Sequence, residues 1–294
     1  MADHSKDLVA LASGFRIGNA RTRKAELLLL RDFLLGLLGT EEDIAMSQRV
    51  GRLVIAGGVH AADAELPSCL GGRPKRPRLP VSEKARRSFA AAAADEADLF
   101  LGPLACHLRL CIMSGEGDCG VSTRLPQLAP PFAIFPRCRR TGNLELWANP
   151  HCHVEGDLQV VGHAGQPLQL ALRNASEPAT ALDTLVACWH RRHLAPRWPE
   201  FLVDKERLQA FRESCGSGLS DPFAIPAAPQ ACGRAVLFAG NCGEATWERV
   251  SGPGVEGANE EAAVICIPDF TEEPSLLLLN VQDLTIKPVR FRVA

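Results

Sequence analysis

The sequence contains no tyrosine, and 12 Phe with 4 Trp bring the aromatic share to only 5 % of 294 residues. Core filling therefore rests on Leu, Val, Ile, Ala and Phe. No run of about 18 apolar residues occurs, which excludes a membrane-spanning helix. No Cys-x-x-Cys pair is present among the 11 cysteines, so neither a zinc ribbon nor a dithiol redox site is signalled. The first residues lack the apolar stretch of a secretion signal. An excess of one charge is missing too: 32 Lys+Arg stand against 34 Asp+Glu, which excludes a generally cationic nucleic-acid coat but not a local patch.

What is present is ample apolar mass, 46 % against 22 % charged residues, which excludes intrinsic disorder. The length suits one large α/β domain or two small ones, and no repeat or linker divides it. The cysteines are scattered singly, several in strand-like runs such as Val264-Ile265-Cys266-Ile267, as buried thiols of a reduced intracellular protein are. The balanced total hides an asymmetry. Residues 1–140 hold 20 Lys+Arg against 15 Asp+Glu, and residues 141–294 hold 12 against 19. The basic excess gathers in Arg73, Lys75, Arg76, Arg78, Lys84, Arg86 and Arg87.

Apolar runs and breakers predict strands over 8–12, 52–56, 108–113, 144–147, 158–162, 236–239, 262–267, 275–280 and 284–293. Leucine periodicity predicts a helix over 25–38, ended near Gly39. An alanine-rich helix is expected over 88–99 and another over 179–192. Residues 66–82, 125–136 and 213–233 read as loops. Strand, glycine loop, helix, strand is the βαβ pattern of a mixed or parallel sheet.

One motif recurs: a strand ends and a short glycine-bearing loop follows, at Ser13-Gly14, Gly57-Gly58-Val59-His60, Gly115-Glu116-Gly117-Asp118, Gly162-His163 and Gly240-Asn241-Cys242. In open α/β sheets, ligands bind at the carboxyl ends of strands. The spacing resembles the skeleton of the calcineurin-like metallophosphoesterases. Their loops carry D-x-H, G-D-x-x-D, G-N-H-[DE], a lone His and G-H-x-H, holding two metals that generate a hydroxide and clamp a phosphate. The resemblance implies an α/β sandwich, two mixed β-sheets flanked by helices.

Most of those ligands are missing here. The first loop, Leu11-Ala12-Ser13-Gly14, has no Asp and no His. Gly58 stands where the metal-bridging Asp would be. The third loop keeps Asp118 but has Glu116 and Gly117 in place of Asn and His. The last reads Asn241-Cys242-Gly243 in place of His-x-His. Hard divalent metals need several converging ligands, and Asp118, His60, His151 and His163 do not make two sites. The scaffold is expected with its site degenerate: remnant loops at Ser13, Gly58, His60, Asp118, His151, Gly240 and Asn241, with no catalytic residue, metal or cofactor.

That combination resembles the small (second, B) subunits of the B-family replicative DNA polymerases, leaning to their delta class. Met113-Ser114-Gly115-Glu116-Gly117-Asp118 is similar to the family's M-P-G-x-x-D, and Leu144 to Pro150 to its L-x-x-x-T-N-P. Val160 to Pro167 resembles F-L-G-x-S-G-Q-N. Asp221-Pro222-Phe223, with Val236 to Asn241 after it, resembles a D-P-F block followed by V-Y-F-x-G-N. Ile267-Pro268-Asp269-Phe270 resembles V-P-D-F. The resemblance implies a phosphoesterase-like domain over 7–294, with the oligonucleotide-binding-type barrel of the family missing ahead of it. It also implies a non-catalytic, nuclear accessory subunit in DNA replication and repair. Its partners would be the C-terminal domain of the catalytic subunit and a third subunit, with DNA reached only through the complex and no membrane. Two alternatives stay open: an active metal-dependent phosphoesterase or nuclease, and the small subunit of polymerase epsilon, alpha or zeta.

Each candidate has a plainer reading. Asp118 is expected to cap its turn by accepting backbone N–H groups rather than to hold a metal. On a helix, only His190 and His193 of the 188–193 segment share a face, and no second ligand pair lies near them in the sequence, so zinc is not the expected reading. Gly162-His163-Ala164-Gly165-Gln166 is expected as a tight turn between strands, not a phosphate nest. Arg73, Lys75, Arg76 and Arg78 are candidates for partner or DNA contact on charge alone, without interleaved aromatics to stack bases.

Overall fold

Alternation along Val50–Ala56 (β2) shows how the layers arise. Val50, Leu53 and Ile55 point to one apolar cluster, whereas Val54 and Ala56 point to another. Both faces of this strand are therefore buried, and its sequence reads as a nearly continuous apolar run. The same alternation holds in Leu8–Ala12 (β1), Arg109–Met113 (β3) and Ser275–Asn280 (β10). The computed structural model describes residues 6–60, 83–121, 124–175, 178–195, 209, 221–226, 233–253 and 259–293.

The remaining elements are helices Lys24–Leu34 (α1), Glu41–Gln48 (α2), Glu83–His107 (α3), Pro136–Arg140 (α4), Gln166–Arg173 (α5) and Ala181–His190 (α6), with strands Leu144–Trp147 (β4), His151–Glu155 (β5), Leu158–His163 (β6), Arg234–Cys242 (β7), Thr246–Pro253 (β8), Asn259–Pro268 (β9) and Ile286–Arg290 (β11). A six-stranded mixed sheet runs β11-β10-β1-β2-β3-β4, and a five-stranded mixed sheet runs β5-β6-β7-β9-β8. The two share one apolar layer: Leu11, Val54, Met113 and Trp147 of the first meet Val236, Phe238, Ala263 and Ile265 of the second. α1, α3 and α4 cover the outer face of the first sheet, through Leu30, Leu101, Leu104 and Cys138. α5 and α6 cover the outer face of the second, through Leu168, Leu185 and Trp189. This is the expected α/β class, two mixed sheets flanked by helices.

Several expected boundaries move. The first helix stops at Leu34, because Gly36 takes φ +70° and the N–H groups of Gly36 and Leu37 turn back to the Phe33 and Asp32 carbonyls. Residues 125–136 are not wholly irregular: a 3-10 turn spans Phe132–Ile134, and α4 begins at Pro136, an N1 proline. β5 was not expected. It forms a hairpin with β6 through the turn at Gly156. β7 does not end at Ala239. It runs on to Cys242, which pairs with Pro268 after a register shift that absorbs Gly240 and Asn241 as a bulge. The 66–82 loop and most of the 213–233 loop lie outside the described residues.

Candidate strand-end site

β1, β2, β3 and β4 run parallel, as do β6, β7 and β9, so their carboxyl ends gather in one crevice between the two sheets. The loops that follow are bonded to one another. Ser13, fully buried, donates its hydroxyl to the Pro268 carbonyl at 2.8 Å and accepts the Asn241 N–H at 2.8 Å. The Gly14 N–H donates to the Gly57 carbonyl at 3.0 Å.

Asp118 is the hub on the first-sheet side. Its Oδ2 accepts the N–H groups of Gly115 (2.8 Å) and Gly58 (3.0 Å). Its Oδ1 accepts the His60 N–H (2.9 Å), with His60 Nδ1 at 3.3 Å. The carboxylate thus caps its own turn, as expected, and also ties that turn to the loop after β2. His60 is fully buried, stacked on Phe135 with ring centroids 5.3 Å apart.

Gly58, at φ +71°, lies where a Cβ would stand 2.8 Å from Asn241 Oδ1 and 3.0 Å from Gly14 Cα. A side chain at this position would therefore meet the Asn241 side chain and the backbone of the neighbouring loop. Asn241 donates through Nδ2 to the Ala164 (2.9 Å) and Ala56 (3.2 Å) carbonyls, which stitches the sheets together.

Sequence reasoning did not single out Arg16 or assign a role to Asp269. Arg16, at φ +49°, folds its guanidinium over the crevice. Nε and Nη2 donate to Asp269 Oδ2 (3.3 and 3.2 Å), Nη2 also to Asn241 Oδ1 (3.3 Å), and Nη1 to the Glu116 carbonyl (3.2 Å). A fixed side-chain cation thus bridges three of the loops, the forked geometry that guanidinium supplies. Asp269 stood in a motif, but nothing in the spacing could mark Arg16 as its partner, 253 residues away.

An amide cluster closes the rest. Asn149 Nδ2 donates to Gln127 Oε1 (2.7 Å) and Gln166 Oε1 (3.0 Å), and Asn149 Oδ1 accepts the Ala164 N–H (3.2 Å). The segment 162–166 is a strand-to-helix turn rather than a turn between strands, with Gly165 (φ +98°) as the N-cap of α5. His151 is not in the crevice. β4 ends at Trp147 in the first sheet, and His151 opens β5, the edge strand of the second, half-buried on the Trp147 ring. Burial pushes its imidazole down to about 3. His193 does not face His190 for a metal: its Nε2 pairs with Asp221 Oδ2 at 2.8 Å, while its Nδ1 accepts the Ala195 N–H. Asp221 also accepts the Phe223 N–H, which gives the D-P-F block a structural role. Arg73, Lys75, Arg76 and Arg78 lie outside the described residues. Among the described residues, no group of three or more His, Cys, Asp or Glu side chains converges.

His163 makes a testable contribution to acid stability. It is fully buried, and its Nδ1 accepts the Gly165 N–H at 3.0 Å. Burial pushes it from 6.5 down to about 3. The unfolded chain takes up this proton below its ordinary pKa, and the folded chain does so only near the lowered one. The stabilisation is therefore complete above about pH 6.5 and is lost as pH falls toward 3, at about 1.4 kcal/mol per pH unit. Urea unfolding of His163→Gln at several pH values between 6.5 and 4 is expected to show a slope flatter by about that amount. An unchanged slope would contradict it.

The sequence is similar to that of known proteins. A model of the family described as the DNA polymerase alpha/epsilon B subunit matches residues 9–230. The chain is 26 % identical over 289 residues to the DNA polymerase delta small subunit of Oryza sativa subsp. japonica, an alignment covering 96 % of this chain and 59 % of that protein. It is 26 % identical over 283 residues to the DNA polymerase delta small subunit of Arabidopsis thaliana, covering 96 % and 57 % respectively. The chain thus spans less than three-fifths of the length of either relative. The family match takes in the first four strand-end loops, the Asn149 turn and the D-P-F block and stops before Asn241 and Asp269; since it covers most of the sequence, this chain belongs to the family of DNA polymerase alpha/epsilon B subunits.

Proposed function

We propose that this chain is a non-catalytic accessory subunit of a DNA polymerase delta-type complex, acting in the nucleus in DNA replication and repair. The observation that carries the reading is the end-to-end similarity to two delta small subunits across 96 % of the chain. The crevice supports it. Both oxygens of Asp118 are engaged by backbone amides, Gly58 leaves no room for a bridging carboxylate, and Arg16 spans the loop ends. Residues 7–294 act as a phosphoesterase-like platform whose outer surface makes the contacts. Its partners are the C-terminal domain of the catalytic subunit and a third subunit, and DNA is met through the complex. Protein docking of this kind needs area and shape rather than ligands at a reactive centre. The basic stretch holding Arg73, Lys75, Arg76 and Arg78 is proposed as a partner or DNA contact.

The test is co-expression of the full chain with the catalytic delta subunit of the same organism. A stable complex that survives size exclusion, and is lost when the catalytic subunit's C-terminal domain is deleted, is expected. Separate elution of the two chains would overturn the reading. Association instead with the alpha or epsilon catalytic subunit would reassign the complex.

A further inference from the structure

We propose that the edge strand β5 carries a two-imidazole chelate, His151 Nε2 with His153 Nδ1, for a first-row divalent ion of the zinc, nickel and copper class. The two residues are two apart on a strand and so project to one face. Their nitrogens stand 3.1 Å apart. Two imidazole nitrogens bound at about 2.05 Å to one ion, at 90–110°, are about 2.9–3.4 Å apart. The pair therefore spans the bite of a cis chelate, and the ion replaces the hydrogen bond between the rings.

The rings are held in place before any ion arrives. His151 lies flat on the Trp147 indole, centroids 4.2 Å apart and planes 10° apart. His153 leans on the same indole at 5.1 Å and 56°. Trp147 in turn donates its Nε1–H to Glu145 Oε2 at 3.3 Å. Arg52 pairs with Glu155, and Arg109 with Glu145 and Glu155, so those carboxylates are already engaged. β5 is the outer strand of its sheet, and the second strand residue, Cys152, points to the opposite face. No third protein ligand converges among the described residues, so water fills the remaining positions. A ligand set of imidazole and water without carboxylate selects zinc, nickel or copper over magnesium, manganese or calcium. The site is remote in role from the crevice and does not depend on the polymerase assignment.

Trp147 supplies the readout. Nickel titrated into the tag-free full chain is expected to quench part of the tryptophan fluorescence with a stoichiometry of one, confirmed by calorimetry. His153→Ala is expected to weaken binding at least tenfold while leaving the far-ultraviolet circular dichroism unchanged. His153→Gln serves as the second variant should the alanine lower stability. Cys152→Ser should leave the titration as it is. Absence of saturable quenching, nickel binding that both His153 variants leave unchanged, or binding that Cys152→Ser abolishes would each overturn the proposal.

Discussion

Replacing Asp118 by alanine is expected to cost the fold about 3–5 kcal/mol, the range for removing one side of a buried charge-assisted network. Asp118 is 4 % exposed, and its carboxylate is the acceptor for the N–H groups of Gly58, His60 and Gly115 at once. Its removal strands three buried donors, and each stranded group costs about 1–3 kcal/mol before water relaxes the loss. Asp118→Asn keeps the shape but turns one acceptor into a donor facing an N–H. It is expected to cost about 1–3 kcal/mol. Equilibrium urea unfolding reads both. A loss below about 1 kcal/mol for the alanine variant would show that the loops hold without their hub.

The second large effect concerns Gly58, where the phosphoesterase resemblance would put a bridging carboxylate. Gly58→Asp is expected to destabilise by about 3–5 kcal/mol rather than create a metal site. A side chain at φ +71° costs about 1–2 kcal/mol. Its Cβ would press on Asn241 Oδ1 and on Gly14 Cα, and overpacking of this kind adds about 1–3 kcal/mol. The new carboxylate would also lie beside that of Asp118, whose Oδ2 is already bonded to the Gly58 N–H. A Gly58→Asp chain with unchanged stability and newly acquired manganese affinity would show that the crevice is open, contrary to this account.

Local patterns carried much of the fold. Apolar strands with both faces buried, such as β2 and β9, are visible as runs of Val, Ile, Leu and Ala, because a strand between two layers needs no polar face. β5 and β8 were missed for the opposite reason. They are edge strands, and His151-Cys152-His153-Val154-Glu155 alternates half-buried with exposed positions and holds few strong β-formers. α5 was missed because Gly165-Gln166-Pro167 reads as a turn, whereas a glycine N-cap followed by proline in the first helical turn starts a helix.

The site was legible in part. Glycine-bearing loops after strands showed where the ends converge, and Asp118 was legible as an acceptor of backbone N–H groups, although it bonds Gly115, Gly58 and His60 rather than the residue two further on that an Asx turn uses. The longer-range partners did not follow. Arg16 with Asp269, Asn241 with Ala56 and Ala164, and Asn149 with Gln127 and Gln166 are contacts between loops that only the packed sheets bring together. The displacement of His151 out of the crevice was likewise hidden. Its neighbour Asn149 stays in the crevice, so sequence adjacency pointed to the wrong place.

The central claim is that these strand-end loops form an internal brace rather than a two-metal centre. The most direct measurement is hydrolysis of bis(p-nitrophenyl) phosphate by the purified full chain in excess manganese. The account predicts a rate equal to that of manganese alone, before and after Asp118→Asn. Turnover by the native chain that Asp118→Asn removes would contradict it.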